Sequence, residues 1–242
     1  MNAHVMMYAD ESKNEVLLND NVRFLANIIP KDGKEPAPMQ QVTHEDIQDV
    51  LGLYPGTNND QNAAHVMLIR VRDNWYFASS FVYNIGLCKE KFTQSKAFYQ
   101  TAQSSANSKL WAPLVDNLYS SVELAIQASL LLTHRGEFSL PQNQKHRPTM
   151  VHLSAHSNAG NIDPKYKEHL ANLNNYRMHG RYQRRDTNKK FELKDLEAKN
   201  LFTLTEELIN HVDSLLYSAE NSRNPNAVAK EGYLISIGKG RA

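Results

Sequence analysis

Residues 111–133 read W-A-P-L-V-D-N-L-Y-S-S-V-E-L-A-I-Q-A-S-L-L-L-T, and this stretch decides the fold. Leu114, Leu118, Val122, Ala125, Ser129 and Leu132 recur at helical spacing as one stripe, and Val115, Tyr119, Ile126 and Leu130 form a second. A helix that is apolar on two sides has to be covered on two sides, which places it in the middle of a bundle. Its polar residues Asp116, Ser120, Glu123 and Gln127 follow four, three and four apart and share one narrow face. That face is expected to meet solvent; the functional alternative is that Glu123 and Gln127 point at a basic stretch on a neighbouring helix.

On the amino-terminal side, Phe92, Ser95, Phe98 or Tyr99, Ala102 and Ala106 repeat at helical spacing and give out in the small polar residues Ser104 to Ser108. Downstream, Gly136 and Pro141 break the chain, and a third helix is expected from near Pro148, since proline is tolerated in a first turn. Asn158-Ala159-Gly160-Asn161 stops it, and Asp163-Pro164 restarts a helical segment through Tyr166, Leu170 and Leu173. The last helix carries Leu193, Leu196, Leu201, Leu204, Leu208, Val212 and Leu215.

The first part of the chain has a different rhythm. His4 to Tyr8, Val16 to Leu18 and Val22 to Ile29 are extended candidates, and a short helix capped by Thr43 is expected to run to about Leu53. His65 to Arg72 and Trp75 to Tyr83 are β-rich runs parted by Asp73-Asn74, a hairpin. From Asn221 the chain turns polar, then ends in the strand-like Y-L-I-S-I and G-K-G-R, a tail expected to pair with the sheet or with a partner. The fold class is therefore α+β: a small β-rich unit at 1–84, an up-and-down bundle of four or five helices at 85–220, and a tail at 221–242.

Composition narrows the chemistry. With 27 Lys and Arg against 26 Asp and Glu, the net charge of +1 excludes a protein that binds nucleic acid with its whole surface and leaves a local patch as the only electrostatic route. A single cysteine, Cys88, excludes an internal disulfide and a cysteine-based zinc site. No apolar run is long enough to cross a bilayer and no leader is visible, so a cytoplasmic location is expected. His152 and His156 fall four apart on one helix, a spacing at which two imidazoles can share a metal, but no third ligand is identified. Gly238-Lys239-Gly240 lacks the remainder of a phosphate loop. Neither metal nor cofactor is expected.

The patch is easily found. Asn172 to Lys190 reads N-L-N-N-Y-R-M-H-G-R-Y-Q-R-R-D-T-N-K-K, in which Arg177, Arg181, Arg184, Arg185, Lys189 and Lys190 face only Asp186. A guanidinium fork donates two hydrogen bonds to one phosphate, and interleaved tyrosines can stack on bases. Arg181, Tyr182, Arg184 and Arg185 are the candidate RNA-binding residues. An imidazole is the side chain suited to exchanging a proton near neutral pH, so His179 can move one, while Arg177 can hold a phosphate and stabilise charge developing on its oxygens, which makes this pair the candidate catalytic one. Glu123 is the expected supporting group, paired with Arg177 inside the bundle. The plainer alternative is a solvated basic turn.

Taken together, the helix L-Y-S-S-V-E-L-A-I-Q-A-S-L-L-L, the segment R-P-T-M-V-H-L-S-A-H and the run N-L-N-N-Y-R-M-H-G-R-Y resemble the HEPN domains of prokaryotes over roughly residues 84–218. The resemblance implies a helical bundle that dimerises around its basic segment in toxin–antitoxin, antiphage or other RNA-directed systems. It also implies metal-independent endoribonuclease chemistry in which an arginine and a histidine meet across the dimer. The nuclease motif of that family is an arginine followed four to six residues later by a histidine. Here Arg177 and His179 are separated by one residue, and Arg147 and His152 have the spacing but open the third helix. Two functions follow: an RNA-binding and RNA-cleaving protein, or a non-catalytic adaptor that dimerises and holds another defence-system protein.

Overall fold

The computed structural model describes residues 2–8, 13–33, 41–56, 60–133, 146–181, 191–221 and 234–237. The chain divides into two units, Met1–Ile85 with Tyr217–Ala242, and Gly86–Leu216. The first is built from β1 (Ala3–Tyr8), β2 (Glu15–Leu18), β3 (Phe24–Pro30), β4 (Gln41–Val42), β5 (Ile47–Pro55), β6 (Ala63–Val71), β7 (Asn74–Ser80) and β8 (Leu234–Ile237). They form two four-stranded sheets, ordered β2-β1-β6-β7 and β4-β8-β3-β5. Alternation along each strand sends Phe24, Ala26 and Ile28 of β3, Ile47 and Leu53 of β5, and Met67, Ile69 and Val71 of β6 into one shared core. All pairings are antiparallel except that of β4 with β8.

Three details differ from expectation or refine it. The segment expected as a helix from Thr43 is strand β5. Asp46 does bond back to Thr43, accepting from its backbone N–H at 3.0 Å and its hydroxyl at 2.6 Å, but this closes a turn. After the turn, Ile47 to Pro55 pair with β3, with register shifts at Asn27/Ile28 and Ile29/Pro30. Second, the hairpin turn is Arg72-Asp73, one residue earlier than read, because Asn74 is already in register with Val71. Arg72 takes a positive φ of 55° there, and its guanidinium donates to the carbonyls of His44 and Glu45. Third, the carboxy-terminal Leu234–Ile237 pairs antiparallel with β3 and parallel with β4, inside the sheet. Where β5 ends, Gly56 donates to the Arg23 carbonyl at 2.9 Å, and a Cβ at that position would stand 2.4 Å from the same oxygen, so only glycine fits.

The helices are α1 (Ile85–Asn107), α2 (Trp111–Leu131), α3 (His146–Asn158), α4 (Pro164–Arg181) and α5 (Asp195–Asn221). As its two stripes require, α2 is the central element: Leu114, Val115, Leu118, Val122, Ala125 and Ile126 are all fully buried. Helices α1 and α2 are antiparallel, since Lys91 reaches Gln127 and the Ser95 hydroxyl donates to the Ser121 carbonyl. So are α4 and α5, where Lys165 meets Glu207 and His169 meets Thr205. The polar face of α2 is not left to solvent. Gln127 is buried, accepting from Lys91 Nζ at 2.9 Å and donating to the Thr149 hydroxyl at 3.3 Å, which ties α1, α2 and α3 together.

Candidate functional site at the end of helix α4

Helix α4 begins after Asp163, whose carboxylate accepts the Lys165 backbone N–H at 2.9 Å, with Pro164 in the first turn. It stays regular to Arg181, and its final turn lies beside the first two turns of α2. Gly180 permits that approach: a Cβ there would sit 3.3 Å from the Ala112 Cβ and 3.4 Å from the Phe191 ring. A helical spacing of four then sets Arg177 and Arg181 about 40° apart around the axis, both facing α2.

Both guanidiniums converge on Asp116. Arg177 Nε lies 3.0 Å from Asp116 Oδ1, and Arg181 Nε lies 2.8 Å from the same oxygen and 3.0 Å from Oδ2. The Arg177 guanidinium also lies 4.5 Å from the centroid of the Tyr119 ring, three residues further along α2. Burial raises the Tyr119 phenol above its usual range and the nearby Glu123 adds to this, while Arg177 opposes both. The cluster is only partly covered, with side-chain exposures of 29% for Asp116, 23% for Arg177 and 47% for Arg181. In such surroundings each ion pair contributes on the order of 1 kcal/mol or less to stability. One carboxylate thus meets two guanidiniums and orients both through their Nε atoms.

Arg177 pairs with Asp116, two turns nearer the start of α2 than Glu123, at the level where the last turn of α4 crosses. Gln127 likewise faces α1 and α3. His179 is exposed, and at about 200° from Arg177 around the same helix it projects from the opposite side of α4. One chain therefore brings Arg177 and Arg181 together and does not bring His179 to them. Met178 is 51% exposed beside it. Tyr182, Arg184 and Arg185 lie outside the described residues. The sequence signal for the missed pair is the i,i+3 placement of Asp116 and Tyr119 on one face of α2, opposite a helix carrying arginines four apart.

Other buried histidines serve the fold. His169 of α4 is 1% exposed, and burial lowers it to about 4. Its Nε2 lies 2.9 Å from the Thr205 hydroxyl, which itself donates to the Leu201 carbonyl, so the ring is the donor. His156 of α3 is lowered by burial and by His152. Among the described residues no three His, Cys, Asp or Glu side chains are grouped to hold a metal, and no helix is long and apolar enough to cross a membrane.

The family model for the HEPN domain matches residues 89–215, more than half of the chain. The chain belongs to the HEPN family. No curated protein and no solved structure matches it. The HEPN region runs from the first turn of α1 to near the end of α5 and contains Asp116, Tyr119, Arg177, His179 and Arg181, whereas β1 to β7 lie outside it. HEPN membership points to RNA-related, defence or toxin systems as the general setting, and the α+β architecture is a HEPN bundle joined to a β-sandwich.

Proposed function

We propose that this HEPN protein acts on RNA in a defence or toxin–antitoxin system, holding the phosphate backbone with Arg177 and Arg181. The observation that carries the reading is the shared carboxylate: Asp116 fixes both guanidiniums by their Nε atoms, while Arg181 stays half-exposed. Preorganised donors lose little freedom on binding an anion, and planar guanidinium suits phosphate. Arg184, Arg185 and Tyr182, next in the sequence, belong to the same basic stretch. Cleavage needs a proton acceptor, and His179 supplies it from a second copy of the chain. Its imidazole takes the proton of a ribose 2′-hydroxyl, the 2′-oxygen bonds to phosphorus, and the P–O5′ bond breaks, the 5′-oxygen taking a proton from water, to leave a 2′,3′-cyclic phosphate and a 5′-hydroxyl. The arginines balance charge on the equatorial oxygens. No metal enters this sequence of events.

A second reading, a non-catalytic adaptor, is favoured by one observation: His179 is exposed on the side of α4 opposite the arginine pair, with the half-exposed Met178 between them, a surface on which a partner protein can seat. Incubation of the protein with total RNA and tRNA in the presence of chelator separates the two. Products with cyclic phosphate ends, lost in an Arg177→Ala, His179→Ala variant of unchanged folding, establish the nuclease. Binding without products, weakening steeply with salt, leaves an RNA binder. Neither binding nor cleavage by a folded dimer moves the conclusion to the adaptor.

A further inference from the structure

The sheet β2-β1-β6-β7 contains only two ionised residues apart from histidines, Glu15 and Arg70. Glu15 is in register with Met6, a core residue, and so belongs to the inner side. Arg70 is in register with Trp75 on the outer side. That outer face is apolar across all four strands, with Leu18, Ala3, Leu68 and Phe77 in one continuous register row. Its last strand, β7, is the aromatic edge: Trp75 is 51% exposed and Phe77 65%, and Phe81 just beyond the strand is 58% exposed. Trp75 and Phe77 are two residues apart on one face, so their rings emerge about 7 Å apart along the strand. The Arg70 guanidinium lies 5.9 Å from the Trp75 centroid, which orients the indole and places a cation beside it. The nearest carboxylate, Asp73 in the turn, is fully exposed at 3.6 Å from Arg70, a contact that water screens.

Large aromatic side chains left in water on a sheet mark a binding surface. A purely apolar partner would match the aliphatic rows equally well, but the outer face of β6 and β7 sets the flat rings of β7 beside the Arg70 guanidinium of β6, and neither strand contains a carboxylate. Its charge complement is an anion that carries flat apolar groups. We infer that the outer face of β6 and β7 is a platform for single-stranded RNA, with bases stacked on Trp75, Phe77 and Phe81 and a phosphate on Arg70. The inference rests on the RNA reading above and adds to it a second, stacking-based contact carried by the amino-terminal unit.

The test uses the full chain in a Trp111→Phe background, in which Trp75 is the only tryptophan. A short labelled oligouridylate is titrated in while anisotropy and tryptophan emission are followed. RNA should quench Trp75. Trp75→Ala with Phe77→Ala should weaken binding roughly tenfold or more at unchanged melting temperature, and Trp75→Phe should largely retain it. Arg177→Ala with Arg181→Ala should weaken binding yet leave the quench intact at saturation. RNA bound with no quench and no effect of the aromatic substitutions overturns this inference and leaves the proposed arginine site standing. Quench and affinity that ignore both arginines would do the reverse. No binding by the folded protein overturns both. Self-association that depends on Trp75 and Phe77 and is indifferent to RNA would instead make the face a self-interface, and the inference fails.

Discussion

Each unit holds a cluster of nitrogen-rich side chains, and the two are built on opposite terms. In the sandwich, His4 and His65 are sealed at 1% and 0% exposure with their rings 2.8 Å apart, Nε2 to Nδ1. The Asp60 carbonyl, 2.9 Å from His65 Nε2, can only accept, so His65 donates there and its Nδ1 accepts from His4. For neutral rings this fixes the proton positions, and burial lowers His4 to about 4. At the end of α4, two guanidiniums and a carboxylate are kept between 23% and 47% exposed. The sandwich pair is shut away from water; the α4 cluster leaves water, and hence a ligand, within reach.

Acid should break the buried arrangement first. Burial, with His65 as the lesser cause, lowers His4 to about 4, and burial alone lowers His169 to about 4. A folded-state value below the unfolded 6.5 means that the unfolded chain binds the proton more readily. Stability from each ring is therefore complete above pH 6.5 and drains away as pH falls toward 4, by about 3 kcal/mol per ring. Urea unfolding at neutral pH and near pH 4.5 checks this, and His169→Leu, which cannot titrate, should flatten the bundle's share. Next in size is the backbone approach that aligns the exposed cluster. Gly180→Val forces α4 off Ala112 and should cost roughly 1–3 kcal/mol in thermal unfolding, with loss of RNA affinity in parallel.

The charged cluster is then probed directly. Removing either guanidinium, Arg177→Ala or Arg181→Ala, should lower RNA affinity roughly tenfold and shallow its salt dependence, read by anisotropy across a salt series. Asp116→Asn keeps the shape but removes the competing negative charge. It should raise RNA affinity a few-fold at low salt while costing less than about 1 kcal/mol of stability. Smallest of all on the fold is His179→Ala, which should move stability by less than about 0.5 kcal/mol while abolishing any cleavage.

Periodicity made most of this architecture legible. The doubled stripe of α2, the stop at Asn158 to Asn161, the restart at Asp163-Pro164 and the hairpin around Asp73 all depend on contacts within a few residues, and all were readable. What failed depended on distance. Thr43 with Asp46 has the chemistry of a helix cap, and only the pairing of Ile47 to Pro55 with β3 makes it a turn before a strand. Asp116, Ser120, Glu123 and Gln127 lie on one stripe of α2, so periodicity says that some of them face a neighbour without saying which. The choice of Asp116 is set by the level at which Gly180 meets Ala112, a tertiary fact. Likewise, helical phase alone separates His179 from Arg177, but only once α4 is known to stay helical through Arg181.

The placement of β8 has a consequence for synthesis. Phe24 pairs with Ile237, so the strand that lies between β3 and β4 leaves the ribosome only after all five helices. Until then the amino-terminal sheet has an open edge along β3, while the residues of all five helices have already been made. The β-rich unit is thus closed only after the helical unit has been made, and the waiting edge is a place for mispairing with other nascent chains.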